Sequence, residues 1–262
     1  MGYQLTQVKR AKLQWMLVFL FVVIFYIGNR PVQAQEYIIG VEDVSYYPFY
    51  DFSAHNVEQE SFIKELLTTF FRTKGYQFKF VALPVKRFDK WYVEEAIDFK
   101  FPDNVRWRNA ESKKLNVNYS QPVLQLSAGS YVLKKNKDMS REMVKRLGTI
   151  FGFYPTLWYD RIENETVELI EASSSISLVK HLLRGNVDAI NIDINVIKYN
   201  LQLLGNDDDT VVLNENIHHE NYAYHFSSIH YPKIIQEFDE FIVSHGQLLT
   251  ELKTKYGIVE SQ

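Results

Sequence analysis

A helix, a glycine and a short apolar strand follow one another at residues 177–184, Gly185 and residues 187–192, and this order constrains the fold most. Leu178, Val179, Leu182 and Leu183 fall on one helical face. Gly185 offers the left-handed stop that ends many helices, and residues 187–192 read as a short buried strand. Asp193 stands at the far end of that strand, five residues beyond Asp188. A helix feeding directly into a buried strand is the unit of a parallel sheet with helices on its faces. In open sheets of that kind ligands are held outside the carboxyl ends of the strands, so Asp193 is placed to meet a cationic group.

The same alternation runs through residues 35–262. Residues 37–41 form a short apolar strand, and Phe62, Ile63, Leu66, Leu67, Phe70 and Phe71 repeat at helical spacing over residues 62–71. Gly75 ends that helix, residues 77–83 give the next strand, residues 91–97 a helix and residues 98–101 another strand. Residues 124–133 form a crossing segment. Residues 146–150 open a second strand–helix–strand set that ends around Tyr224. Pro232 starts a helix over residues 233–243, and residues 248–256 form the last one. Two α/β units in one chain imply two lobes with a cleft between them.

Residues 1–34 are a different kind of segment. Lys9, Arg10 and Lys12 precede an apolar run from Trp15 to Ile27, and Val32-Gln33-Ala34 closes it with small residues spaced as at a secretory cleavage site. The apolar run is 13 residues long, short of the roughly 20 that a membrane span requires. A cleaved signal peptide is therefore expected, with export to the periplasm. Four of the 29 Lys and Arg residues lie in this leader, leaving 25 against 32 Asp and Glu in the remainder, a balance of −7. Such a surface lacks the basic stripe that neutralises phosphates, so no nucleic-acid partner is expected. The chain has no cysteine, which excludes a disulfide-stapled fold and a lipoprotein anchored through cysteine.

The stretch from Gly185 to Asp193 resembles the G-x-V-D-A-x-x-x-D of family 3 bacterial extracellular solute-binding proteins, the periplasmic receptors of polar amino acid importers. The resemblance extends along the chain. Tyr46-Tyr47-Pro48-Phe49 matches the Y-x-P-F after the family's first strand, and Tyr119-Ser120-Gln121-Pro122-Val123 its F-S-x-P-Y. Residues 147–155, through Gly152 and Pro155, match the opening of the second lobe, and Lys255-Tyr256-Gly257 the closing K-Y-G. This implies a type II periplasmic-binding-protein-like α/β fold, each lobe a mostly parallel sheet flanked by helices and joined by a hinge. Lobe one would comprise residues 35–126, lobe two residues 127–224, with a return to lobe one over residues 225–262.

The resemblance also implies a ligand site. Asp193 holds the position of the residue that binds the ligand's α-ammonium, and Tyr46 that of a cleft wall. Gly152 and Phe153 belong to a turn whose backbone amides receive a carboxylate, which accords with the preference of helix starts for anions. One departure stands out: Lys113 occupies the place of the family's carboxylate-clamping arginine, and a lysine is a point charge rather than a planar fork. Arg106 or Arg108, with Trp107 between them, could replace the clamp, or both could be ordinary surface arginines. Lys86 and Arg87 end the second strand at the cleft edge, and Arg87 is a further candidate contact. His218, His219, His225 and His230 fit no zinc spacing, so no metal and no cofactor is expected.

The function that follows is a periplasmic binding protein that closes its lobes on a small polar, amino-acid-like or amine-containing solute. Its partner would be the membrane subunits of an ABC importer or a membrane sensor, and the protein itself a monomer. Two other classes stand beside it. One is an enzyme on the same fold, resembling a cyclohexadienyl dehydratase with an acid such as Asp193 as general base; no Ser–His–Asp or Cys–His set can be placed. The other is a domain that binds only protein.

Overall fold

The computed structural model describes residues 35–53, 59–94, 96–108 and 112–260; the leader of residues 1–34 lies outside them. Strand β1 (Glu36–Glu42) leads into a two-strand hairpin, β2 (Ser45–Tyr46) and β3 (Tyr50–Asp51), and then into helix α1 (Phe62–Thr73). The six apolar residues expected along α1 are all buried. They pack with the aromatic core, where Phe70 meets Phe238 edge-on at 5.1 Å and Phe71 meets Phe99 at 5.6 Å. Strand β4 (Gln77–Leu83) returns parallel to β1, and β5 (Phe99–Asp103) pairs with the other side of β1, also parallel. Between them lies helix α2 (Phe88–Val93). It begins three residues before the expected helix and ends before Ile97, because Phe88 and Tyr92, four apart, are the pair that it buries.

Two short strands follow, β6 (Asn118–Tyr119) and β7 (Leu124–Ala128), and the chain then enters a second sheet. Its strands are β8 (Tyr131–Leu133), β9 (Arg146–Ile150), β10 (Glu168–Ala172), β11 (Ala189–Ile190) and β12 (Val211–Leu213), in the order β10-β9-β11-β8-β12. The two pairings of β9, with β10 and with β11, are parallel, as the alternation requires, while β8 runs antiparallel to β11 and β12. Helices α3 (Tyr159–Glu163), α4 (Ser175–Leu183) and α5 (Ile194–Leu203) connect these strands. Gly185 ends the turn after α4 at φ +71°. Gly148 explains how closely α4 packs on β9: a Cβ there would stand 2.6 Å from Leu178 Cδ1.

The chain returns through β13 (Glu220–Ser228), which pairs antiparallel with β7, then with β5 and β6. The first sheet therefore reads β4-β1-β5-β13-β6, with β7 on the flank of β13. Residues 220–224 belong to this same strand and pair with β7. β7 and the first half of β13 form a two-strand ribbon joining the sheets. Helices α6 (Pro232–Ser244) and α7 (Gly246–Lys255) close the chain. Lys255 and Tyr256 both bond Glu65 of α1. Among the described residues no helix is long and apolar enough to cross a membrane.

Candidate functional site

Parallel pairing brings the carboxyl ends of β1, β4 and β5 to one edge of the first sheet, and that edge faces the second sheet across the ribbon. Between them is a cavity of about 250 Å³. Glu42, Tyr46, Lys86, Lys100, Arg106 and Trp107 line it from the first sheet and its loops. Gly152, Phe153, Tyr154, Asn191 and Ile192 line it from the second, and Tyr222 and Tyr224 of β13 form its floor. The walls touch directly. The Asp193 amide donates to the Tyr46 hydroxyl at 2.8 Å, Ser175 Oγ donates to the Ser45 carbonyl, and the rings of Tyr46 and Phe153 meet edge-on at 5.2 Å. At the rim Lys86 Nζ pairs with Glu171 at 3.2 Å and sits 4.0 Å above the Phe151 ring.

Two acids near this cavity are held far from their usual titration. Glu42, the last residue of β1, is 6% exposed, and Tyr50 donates its hydroxyl to Oε2. Burial pushes its carboxyl up to about 7; the Tyr50 bond and the Lys100 charge pull the other way without cancelling this. Asp193 is buried too, and desolvation raises it to about 6 against the pull of two bonds from Asn195. Burial also raises the phenols of Tyr46, Tyr222 and Tyr224, so they remain hydroxyls.

Behind the wall lies a buried ion cluster. Asp103, fully buried, accepts from Ser227 Oγ at 2.5 Å and from the Arg108 guanidinium, and lies 3.2 Å from Lys100 Nζ. Arg108 also donates Nε–H to the Tyr119 hydroxyl at 2.8 Å and stacks 5.1 Å from the Tyr92 ring. Lys100 Nζ lies 5.0 Å above Phe88. A buried charge persists only when paired and hydrogen-bonded, and here one carboxylate serves two cations.

Of the expected contacts, the structure brings Tyr46, Arg106, Gly152 and Phe153 to the cavity wall. Arg106 is held by Glu220 of β13. The other four stand elsewhere. Arg108 is buried rather than on the surface, its guanidinium paired with Asp103. Lys113 is exposed on a 3₁₀ turn (Ser112–Lys114), and Arg87 is exposed beside Lys86, which takes the wall position instead. Asp193 lies just behind the wall formed by Asn191 and Ile192. Its side chain caps α5, accepting from the Asn195 amide and from Asn195 Nδ2, each at 2.8 Å. Thus oriented, Asn195 bonds both the carbonyl and the amide of Val259 and clasps the chain's last described turn. The amides of the Gly152 turn are also engaged: Gly152 donates to Glu171 and Phe153 to the Ile150 carbonyl. Among the described residues no group of three or more His, Asp or Glu is placed to hold a metal ion.

Sequence reasoning missed Glu42, Lys100, Tyr222 and Tyr224. The first two had a signal. Glu42 ends the first apolar strand, as Asp193 ends a later one, and Lys100 interrupts the apolar run Phe99–Phe101, where a charge is rarely buried unpaired.

No family model and no curated protein sequence matches the chain. Solved structures do. The arginine-, lysine-, histidine-binding protein ArtJ of Geobacillus stearothermophilus superposes with a TM-score of 0.67 at 13% identity, over 87% of this chain and 97% of its own. The chain has the two-lobed periplasmic-binding-protein fold. Two further structures share that fold. A histidine kinase sensor domain similar to periplasmic binding proteins gives a TM-score of 0.67 at 12% identity, covering 87% of this chain and 99% of that one. The ancestral amino acid-binding protein AncCDT-1, a precursor of cyclohexadienyl dehydratase, gives 0.64 at 15%, covering 84% and 95%.

Proposed function

We propose that this is an exported binding protein that captures a small polar solute between its two lobes. One observation carries the reading: a cavity at the strand ends is walled by both sheets and floored by the ribbon that joins them. A solute touching both walls makes all its contacts only when the lobes are together, so it favours the closed form. Tyr46, Arg106 and Phe153 are the proposed contacts retained from the sequence, joined by Glu42 and Lys100. The leader would carry the protein to the periplasm as a monomer. Its closed form would then be read by the membrane subunits of an importer or by a membrane sensor; the likeness to a sensor domain supports the latter as fully as that to the substrate-binding protein of an amino acid ABC transporter supports the former.

A thermal-shift screen of amino acids, polyamines, peptides, organic acids and sugars, paired with small-angle scattering, tests this reading. A binding solute should raise the melting temperature and shrink or preserve the radius of gyration. Absence of any shift across all five classes would refute it. A second reading is favoured by Glu42, whose titration near neutrality suits a general acid or base. Consumption of prephenate or arogenate by the purified protein would establish that enzymatic reading in place of simple capture.

A further inference from the structure

We propose that the solute carries one flat aromatic ring with a short polar substituent, and that the ring is received by Trp107 from the first lobe and by Phe153 and Tyr154 from the second. This rests on the reading of the cavity as a solute site and names the class of solute.

The rings that line the cavity come from every part that encloses it. Trp107 ends a 3₁₀ turn (Val105–Trp107) beside the first sheet, Phe153 and Tyr154 follow β9 of the second, and Tyr222 lies on the ribbon. Trp107, Phe153 and Tyr222 are half-buried and Tyr154 is 58% exposed, so each keeps surface that the protein does not cover. Buried aromatics hold three of them in place. Trp107 and Tyr222 both meet Tyr224 edge-on, at 5.5 and 5.6 Å, and Phe153 meets Tyr46 edge-on at 5.2 Å. The offset, parallel stack that aromatic pairs also favour is not used by these three rings among the described residues.

Size decides how many rings fit. An apolar cavity of about 150 Å³ takes up benzene, and this one measures about 250 Å³. That admits a single six-membered ring with a short substituent, and not two separate rings. Each aromatic contact favours a flat ring over a puckered one of similar area by about two- to tenfold. The polar end of the solute has Glu42, Lys86, Lys100 and Arg106 on the wall. Both signs of charge are thus present, and the ring rather than the sign of the head group is what is inferred. The contacts expected for the carboxylate of an α-amino acid do not assemble in the same way. The Gly152 amide donates to Glu171 and the Phe153 amide to the Ile150 carbonyl, while Lys113 is exposed and not part of the lining.

Titration calorimetry on the chain without its leader tests the inference with pairs that share a head group and differ in the ring: phenylacetate and cyclohexylacetate, phenethylamine and 2-cyclohexylethylamine, phenylalanine and cyclohexylalanine. Arginine, flat at its guanidinium but without a ring, completes the set. The expected result is binding of at least one aromatic member, about tenfold tighter than its saturated partner. Trp107→Leu and, separately, Phe153→Leu should bring that ratio within about threefold while the saturated partner changes little; if neither variant folds, the ratio in the unaltered protein decides alone. A ratio below about threefold in the unaltered protein overturns the inference and leaves the receptor reading standing. So does a ratio that both folded variants preserve, and so does preferred binding of arginine or of any screened solute without an aromatic ring. If none of these compounds binds, the wider screen decides. A solute found there without an aromatic ring overturns only this inference, one with a ring is put through the same comparison with its saturated analogue, and silence across all five classes removes the receptor reading itself.

Discussion

Replacing Asp193 by asparagine should stabilise the protein at neutral pH, although a charged helix cap is lost. In the folded chain burial raises this carboxyl from 3.8 to about 6. The folded pKa lies above the unfolded one, so there is no penalty below pH 3.8. The penalty grows as pH rises from there to about 6 and is constant beyond. A shift of roughly two units corresponds to about 3 kcal/mol. The attraction of the start of α5 for a negative charge acts within that shift, so the net cost is about 2–3 kcal/mol. Asparagine caps helices as well as aspartate does, and its Oδ1 can still accept both Asn195 bonds. Urea denaturation of parent and variant at about pH 8 should therefore favour Asp193→Asn by about 2–3 kcal/mol, with the gain gone near pH 4. Glu42 titrates in both proteins and cancels in the difference. A variant less stable at about pH 8, or a gain equal at both pH values, would refute the reasoning. Both Asn195 bonds fall on Asp193 Oδ1 and asparagine keeps that oxygen, so binding of any solute should change by less than about threefold; loss of binding would return Asp193 to the site.

Other substitutions probe other contacts. Gly152→Ala must hold an L-residue at φ +90° and place a Cβ 3.1 Å from Val85 Cβ across the crevice. It should cost about 1–3 kcal/mol in urea and enlarge the radius of gyration, and an unchanged scattering curve would contradict the close approach of the walls. Asp103→Asn leaves Lys100 and Arg108 buried without their shared carboxylate, and a loss of about 3–5 kcal/mol is expected; a loss below about 1 kcal/mol would show the cluster to be hydrated. Gly148→Ala would press on Leu178 and lower stability by about 1–3 kcal/mol, measurable as a reduced melting temperature with the fold intact by circular dichroism.

Much of the architecture could be read from the chain because it rests on local periodicity. The stripe from Phe62 to Phe71 and the strand Arg146–Ile150 stand where their patterns place them, and the two-lobed fold follows from their alternation. Residues 187–192 satisfied the same rule less well. Only Ala189 and Ile190 pair in the sheet, because Asp188 is turned to Arg146 and Asp193 already caps the next helix. The site was harder to read than the fold. A strand-end acid points to the crevice edge, and it did so for Asp193, but Asp is equally the residue that caps helices, and Asn195, two residues on, donates both its bonds to Oδ1. Arg108 looked like a loop residue, since nothing local shows that Asp103 and Ser227, 124 residues apart, meet around it. Tyr222 and Tyr224 could be placed only once β13 was known to run alongside β7.

The ribbon of β7 and β13 has a consequence for how occupancy is communicated. Its tyrosines line the cavity, while its backbone joins the two walls, and under the proposed closure it is the segment that bends. The joint and the sensor are thus the same nine-residue strand. A guest pressing on Tyr222 or Tyr224 loads the pivot itself, so the angle between the halves can report the shape of the guest as well as its presence.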